Sequence, residues 1–202
     1  MIIVHRGNQA FRQNSLMAVL TALDKAHMSI VEFDIYWTDG RWVLAHDSTK
    51  VACAEDLSVV ISMVEPRLRS TSSPRLLIDI KWDKPIDQEL SVAMNALTAA
   101  LSSLSPSSFM LQFPSIKTFR SMNGGGYITG LLVPSPVMVD WTLLPKEARF
   151  VMIDMNAFTL DDIDEIREMR PDIKVFVYTC KGVSQYLYFR QAVDAVVCDI
   201  VW

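Results

Sequence analysis

Two histidines and a pair of carboxylates near the start of the chain are the residues best suited to chemistry. His5 follows a short apolar run and precedes Arg6, and His46 ends another apolar run. Between them, Glu32 and Asp34 interrupt a third apolar run two residues apart, and strand alternation points both to one side. A buried carboxylate pair needs a compensating cation. The sequence therefore predicts an active site in this region.

A third carboxylate and a second cation, Asp79 and Lys81, stand at the end of the next strand-like run. Carboxylate oxygens suit hard divalent cations, so we predict Glu32, Asp34 and Asp79 as metal ligands and Mg²⁺ or Ca²⁺ as the cofactor. The structural alternative is that Arg6 and Lys81 neutralise these carboxylates in salt bridges.

The two histidines that bracket the acidic site are predicted to be catalytic. Imidazole changes charge near neutral pH, which makes His5 and His46 candidates for general acid and general base. The sequence does not distinguish the acid from the base. A lone histidine is more often structural, and His27, at the end of a helical segment, is predicted to be so.

Short apolar runs alternate with helical segments along the chain and would position these residues. The predicted strands are residues 2–4, 30–37, 75–81, 108–113, 127–133, 150–154, 173–179 and 195–198. The predicted helices are residues 16–27, 56–64, 85–104, 115–122, 137–148, 160–169 and 183–191. Such alternation indicates parallel βαβ units, and eight strands can close a barrel. We expect one α/β domain, residues 1–202, forming a small (β/α)8 TIM barrel with truncated loops and no final helix.

The predicted barrel gathers the candidate residues at one end. Active sites of such barrels lie at the carboxyl ends of the strands, where His5, Asp34, Asp79, Asp154 and Asp199 fall. Asp39-Gly40 predicts a hairpin turn that brings His46 towards the carboxylates. Asp47 is predicted to orient the backbone of a loop.

Composition excludes several other functions. A net charge of −4 without a basic stripe argues against nucleic acid as a partner. Three cysteines without CxxC spacing indicate neither a disulfide framework nor a zinc site. The apolar runs are too short for a membrane anchor, so we expect a cytoplasmic protein, provided that no leader precedes the chain.

Short motifs in the first eighty residues resemble, in order, those of the glycerophosphodiester phosphodiesterase family, whose members are metal-dependent (β/α)8 barrels. The matching segments are His5-Arg6-Gly7, Asn14-Ser15, Glu32-Phe33-Asp34, Thr38-Asp39-Gly40, His46-Asp47 and Asp79-Ile80-Lys81. The looser matches later in the chain are Leu111-Gln112-Phe113, Val177-Tyr178-Thr179 and the segment from Val193 to Asp199. Each motif alone is weak, but their shared order is specific.

The chain departs from the family pattern at two of these positions. Gln13 stands where the family has a glutamate, and Asp79 stands where it has a third metal-binding glutamate. Aspartate can still bind a hard cation, although its shorter side chain would draw the ion towards the strand. The usual insertion between the second and third strands is nearly absent.

The resemblance implies hydrolysis of a small glycerophosphodiester to glycerol 3-phosphate and an alcohol. Arg6 and Lys81, at strand ends beside the acids, are predicted to bind phosphate oxygens. Two alternatives stay open. One is a phospholipase-D-like activity on lysophospholipid or sphingomyelin, and the other is a barrel that binds phosphodiesters with little turnover.

Aromatic residues are expected to line an open mouth suited to a headgroup. The candidates are Trp37, Trp42, Trp82, Tyr178 and Trp202. Short loops around the site would leave this mouth open.

Overall fold

The computed structural model describes residues 1–7, 10–25, 29–69, 73–84, 86–121, 126–136 and 140–199, and within them eight parallel strands close into a barrel. β1 pairs with both β2 and β9, and this closes the sheet. The strands, including the hairpin strand β3, are β1 (Ile2–Val4), β2 (Ile30–Thr38), β3 (Arg41–Val43), β4 (Leu76–Lys81), β5 (Phe109–Phe113), β6 (Ile128–Val133), β7 (Phe150–Asp154), β8 (Lys174–Cys180) and β9 (Ala195–Cys198). The helices are α1 (Leu16–Lys25), α2 (Leu57–Leu68), α3 (Ile86–Leu101), α4 (Ile116–Arg120), α5 (Leu160–Met169) and α6 (Val183–Phe189). The predicted TIM barrel is confirmed.

Both faces of the barrel strands are apolar, which explains why their sequences are nearly continuous hydrophobic runs. One face packs against the helices, and the other fills the barrel. Inside the barrel, the rings of Phe150 and Phe176 stack with centroids 4.8 Å apart. Gly130 leaves room for this filling, because a Cβ there would lie 2.4 Å from the Phe150 ring. Polar residues replace apolar ones inside the barrel only towards the carboxyl ends of the strands.

The β2–β3 hairpin is the one antiparallel pairing of named strands in the described chain. Asp39 and Gly40 have φ values of 49° and 76°, as a primed hairpin turn requires. Among the named strands of the described chain, β3 pairs only with β2, through Tyr36 with Val43 and Trp37 with Trp42, and Val43 also forms an isolated antiparallel bridge with Asp56. This hairpin therefore stands outside the closed barrel and delivers the segment that carries His46.

The prediction of a helix at residues 137–148 is wrong for the described part, which holds only a 3-10 turn at Trp141–Leu143. Asp140 caps the turn, and Leu144 is extended with ψ 137°. Leu144 precedes Pro145, and a residue before proline avoids the helical region. The structure also differs from the prediction in that α2 continues to Leu68. In addition, a 3-10 helix at Ser48–Cys53 was not predicted.

Some expectations fall on residues outside the described ranges. His27 and the chain after Asp199 are among them, so their predicted roles are unchanged. None of the described helices is both long and apolar enough to cross a membrane.

Candidate active site

Three buried carboxylates meet at the carboxyl ends of β2 and β4. Glu32, Asp34 and Asp79 are 3%, 1% and 7% exposed. They offer carboxylate oxygens that all lie within 4.8 Å of one another. The parallel register pairs Asp34 with Asp79, and alternation places Glu32 on the same inner face of β2.

Two cations compensate part of this negative charge. Lys81 Nζ lies 3.0 Å from Asp34 Oδ1 and 2.5 Å from Asp79 Oδ2, and Arg6 Nε forms an ion pair with Asp34 Oδ2 at 2.9 Å. Burial alone would raise the pKa of Asp34, but the Lys81 and Arg6 cations hold it below its usual value. Burial would lower the pKa of Lys81, and the Asp79 and Asp34 carboxylates raise it instead.

The other two carboxylates keep binding capacity for a cation. Burial and the neighbouring charges of Asp34 and Asp79 raise the pKa of Glu32, and the backbone N–H of Arg6 donates to Glu32 Oε2 at 2.8 Å. Burial also raises the pKa of Asp79, against the opposing charge of Lys81. Among the described residues, Asp79 Oδ1 is buried without a hydrogen-bond partner. Unused buried oxygens on neighbouring strands fit a hard divalent cation.

A tight turn after β1 brings the loop against the acids. Arg6 and Gly7 have φ values of 53° and 77°, and the Gly7 N–H donates to the Glu32 carbonyl at 3.1 Å. A Cβ at Gly7 would lie 2.7 Å from the backbone of Ala18, so only glycine fits between this loop and α1.

Asn14 fixes the position of Asp34, a role that the sequence did not reveal. Its Nδ2 donates to Asp34 Oδ2 at 2.7 Å, and its Oδ1 accepts from the Asp34 N–H at 3.0 Å. Ser15 caps α1 by accepting from the Ala18 N–H. Asn and Ser both favour helix caps, and because one helix start needs only one of them, the adjacency of Asn14 and Ser15 was the available signal in the sequence.

His5 is held from behind by Asp199. Its Nδ1 lies 2.5 Å from Asp199 Oδ1, and its Nε2 lies 3.9 Å from Glu32 Oε2. The pairing of Val4 with Cys198 places these next residues side by side. Burial lowers the pKa of His5, and the hydrogen bond to Asp199 partly opposes this shift. Asp199 was recognised as a strand-end residue but not as the partner of His5.

His46 is more exposed and lies beyond the hairpin. Its Nδ1 is 3.2 Å from Asp47 Oδ2, and its side chain is 44% exposed. Asp47 caps the 3-10 helix Ser48–Cys53 by accepting from the Thr49 N–H at 2.9 Å. Asp47 thus orients a loop, as the sequence predicted.

One inner cavity of about 130 Å³ brings all seven predicted site residues together. They are His5, Arg6, Glu32, Asp34, His46, Asp79 and Lys81. The same cavity is lined by Gln112 and Tyr178, and burial raises the pKa of Tyr178 to about 12. The arrangement combines three acids that could hold a metal ion, two imidazoles and two cations around one space.

A larger groove of about 500 Å³ adjoins this cavity. The two spaces share Arg6 and His46 in their walls. Arg12 and Lys50 line the groove, and neither forms an ion pair with any carboxylate in the described ranges. The groove therefore opens from the inner cavity into a region with positive side chains.

The expected aromatic mouth is not formed by the described tryptophans. Trp37 and Trp42 are 2% and 3% exposed. Their ring centroids lie 5.4 Å apart, and Trp42 lies 6.2 Å from Trp82. These rings pack the hairpin, and Trp42 Nε1 donates to the Ala93 carbonyl of α3 at 2.7 Å. Tyr178 does line the cavity, and Trp202 lies outside the described residues.

Comparison with solved structures defines the class of fold. An Oleispira antarctica phosphodiesterase in complex with the product sn-glycerol-3-phosphate matches with a TM-score of 0.81 and 16% identity, over 98% of this chain and 92% of that one. A Parabacteroides distasonis glycerophosphodiester phosphodiesterase gives 0.75 and 14%, over 98% and 92%. The Thermotoga maritima glycerophosphodiester phosphodiesterase gives 0.72 and 19%, over 98% and 93%. Scans of protein-family models and of curated proteins found no match.

The chain therefore has the (β/α)8 barrel fold of these phosphodiesterases. The resemblance seen in the sequence motifs is confirmed at the level of the fold.

Proposed function

We propose that this protein is a metal-dependent phosphodiester hydrolase that cleaves glycerophosphodiesters to glycerol 3-phosphate and an alcohol. The observation that carries the proposal is the inner cavity, where three buried carboxylates, two histidines and two cations converge. The product bound by the Oleispira antarctica protein of the same fold supports the choice of substrate.

The proposed metal ligands are Glu32, Asp34 and Asp79, because their oxygens are close together and Asp79 Oδ1 has no partner among the described residues. A bound Mg²⁺ or Ca²⁺ supplies a Lewis acid for the phosphoryl oxygens. Lys81 bridges Asp34 and Asp79, Arg6 pairs with Asp34, and both line the cavity, so they are proposed to bind the phosphate oxygens.

The two histidines are proposed to divide the proton transfers according to their positions. His5 is buried and oriented by Asp199, so it accepts a proton from the attacking water as the water oxygen bonds to phosphorus and the bond to the leaving alcohol breaks. His46 lies where the cavity meets the outer groove, so it protonates the leaving alcohol. The groove is proposed to hold this alcohol, because an inner space of about 130 Å³ is small for a whole ligand.

The test is metal-dependent release of glycerol 3-phosphate from glycerophosphodiesters. Protein treated with a chelator should be inactive, and added Mg²⁺ or Ca²⁺ should restore turnover. Glu32→Gln should bind the metal at least about tenfold more weakly, a loss of roughly 1.4 kcal/mol. Glu165→Gln on the exposed face of α5 is the matched control.

Two results would contradict the proposal. One is full turnover in the presence of chelator, and the other is unchanged metal affinity in Glu32→Gln by calorimetry. Lysophosphatidylcholine as a parallel substrate separates the proposed activity from the phospholipase-D-like alternative, because only the latter releases free choline from it.

A further inference from the structure

Gln112 is a buried amide with no partner for either end of its side chain. It lies on β5, is 1% exposed and lines the inner cavity. Neither Oε1 nor Nε2 forms a hydrogen bond within the described residues. Because both atoms are unpaired, this holds whichever way the amide is oriented. Buried polar side chains are normally satisfied, so the lack of a partner requires an explanation.

The neighbours of Gln112 across the sheet explain why the protein supplies no partner. On β6 it is paired with Gly130, which has no side chain. On β4 it is paired with Asp79, whose Oδ1 is also buried and unpaired. Three unpaired polar atoms therefore lie on adjacent strands around one cavity, beside the apolar side chains of Leu132 and Met152.

The chemistry of the amide identifies the group that would complete it. An amide side chain offers both a donor and an acceptor, whereas a phosphodiester oxygen can only accept. A phosphate beside Gln112 would leave Oε1 unpaired. In the proposed function, the phosphate is already bound by Arg6 and Lys81, which line the same cavity. A hydroxyl both donates and accepts, so one hydroxyl can accept from Nε2 and donate to Oε1 of Gln112, and the apolar wall suits its carbon chain.

We infer that Gln112 binds a free hydroxyl on the alcohol that stays with the phosphate, so that the site selects phosphodiesters of diols and polyols. This inference rests on the proposed function for its substrate class. A site built to hydrogen-bond a hydroxyl discriminates strongly against an analogue without it, because its own polar groups are left unpaired. Gln112 is thus a specificity-determining residue.

The experiment uses three 4-nitrophenyl phosphodiesters that share a leaving group. Their second alcohols are glycerol, 2-hydroxypropanol, which lacks the terminal hydroxyl, and 3-hydroxypropanol, which lacks the middle one. For the wild-type protein, removal of the hydroxyl that Gln112 binds should lower kcat/KM by at least about 100-fold. In Gln112→Met, which keeps the volume, that penalty should fall to within about threefold.

The control is Gln191→Met, an exposed glutamine away from the cavity, which should keep the wild-type ratios. A Gln112→Met variant that loses activity equally on all three diesters would overturn the inference, because Gln112 would then bind only water or maintain the cavity shape. Near-ultraviolet circular dichroism verifies that the variant is folded.

A binding measurement separates this inference from the proposed function. If no diester is cleaved, the proposed function fails, and calorimetry then compares glycerol 3-phosphate with propyl phosphate. Binding of glycerol 3-phosphate that exceeds propyl phosphate in wild type but not in Gln112→Met supports the inference without turnover. Equal binding of the two ligands by the wild-type protein overturns it.

Discussion

Lys81 contacts two of the three buried carboxylates, and this leaves Glu32 without a cation of its own. The pKa values of the two residues shift in opposite directions: the pKa of Asp34 is lowered, whereas the pKa of Glu32 is raised. Like charges in a buried cluster repel unless a cation enters. The site therefore has a deficit of positive charge that a divalent ion would remove.

Asp199 is predicted to act on catalysis through His5. In Asp199→Asn the hydrogen-bond acceptor stays but the charge behind the imidazole is lost. We expect kcat to fall by about 10²-fold while KM changes little, because the phosphate contacts are untouched. Steady-state kinetics of the variant measures this split.

The matched control for this substitution is Asp154→Asn. Asp154 also ends a barrel strand, but its side chain accepts from Asn156 in its own turn. Unchanged kcat in Asp199→Asn, or an equal fall in Asp154→Asn, would remove Asp199 from the catalytic arrangement.

Residue types and strand alternation were sufficient to predict that these acids, histidines and cations lie around one space. The contacts of Asn14, Gln112 and Asp199 were not predicted, for a common reason. Their roles depend on the contacts between side chains of neighbouring segments, or on the lack of a hydrogen-bond partner. These contacts and this lack of a partner follow from the strand register. A single sequence does not specify register between distant strands.

At the scale of elements, α5 has the clearest start signal. Thr159 Oγ1 accepts from the Asp162 N–H, and Asp162 Oδ2 accepts from the Thr159 N–H at 2.7 Å. This reciprocal capping box explains why the predicted bounds of α5 agree with the observed bounds. Where proline controlled the backbone instead, as at Leu144, helical periodicity misled the prediction.

The capping box gives a pH-dependent prediction. Its hydrogen bonds from Thr159 lower the pKa of Asp162 in the folded state. The stabilisation of the folded state by the capping box is therefore fully present above the ordinary pKa of aspartate. It is lost as the pH falls through the lower pKa that Asp162 has in the folded state. Asp162→Asn should cost about 0.5–1 kcal/mol at pH 7, and the difference from wild type should shrink below about pH 4.

Urea unfolding at pH 7 and pH 3 measures this difference. Asp161→Asn is the control, because Asp161 shares the first turn and the helix dipole but not the capping box. An equal effect of the two substitutions at pH 7 would show that the dipole alone accounts for the stabilisation.

At the scale of the whole molecule, the outer groove predicts a preference for headgroup charge. Arg12 donates through Nη2 to the Cys53 carbonyl, a neutral acceptor, and Lys50 lines the same groove. Among the described residues, the groove lining contains no aromatic ring that could hold a quaternary ammonium. Glycerophosphodiesters with an anionic headgroup should exceed glycerophosphocholine in kcat/KM by about tenfold at low salt.

Arg12→Gln combined with Lys50→Gln should reduce this preference, and so should high salt. Lys146→Gln, an exposed lysine away from both spaces, should not change it. A preference for choline that persists in the double variant would mean that the headgroup lies elsewhere.

The barrel itself was predictable because the alternation of strands and helices allows few topologies. The structural role of the tryptophans was not predictable. Burial of Trp42 depends on α3 passing outside the hairpin, which no local pattern encodes. Trp37 and Trp42 were predicted to line the mouth of the site, whereas they pack the hairpin against its neighbours.

This packing of the hairpin predicts that the proposed activity is lost at lower temperatures than the fold. His46 follows a hairpin that joins the closed barrel through β2, packs against α3 and is bridged to Asp56 at Val43, so its alignment depends on contacts weaker than barrel closure. Turnover in a heating series should fall at lower temperatures than far-ultraviolet ellipticity, and Trp42→Phe should widen the interval. Coincident loss of activity and ellipticity in both proteins would show that hairpin and barrel unfold together.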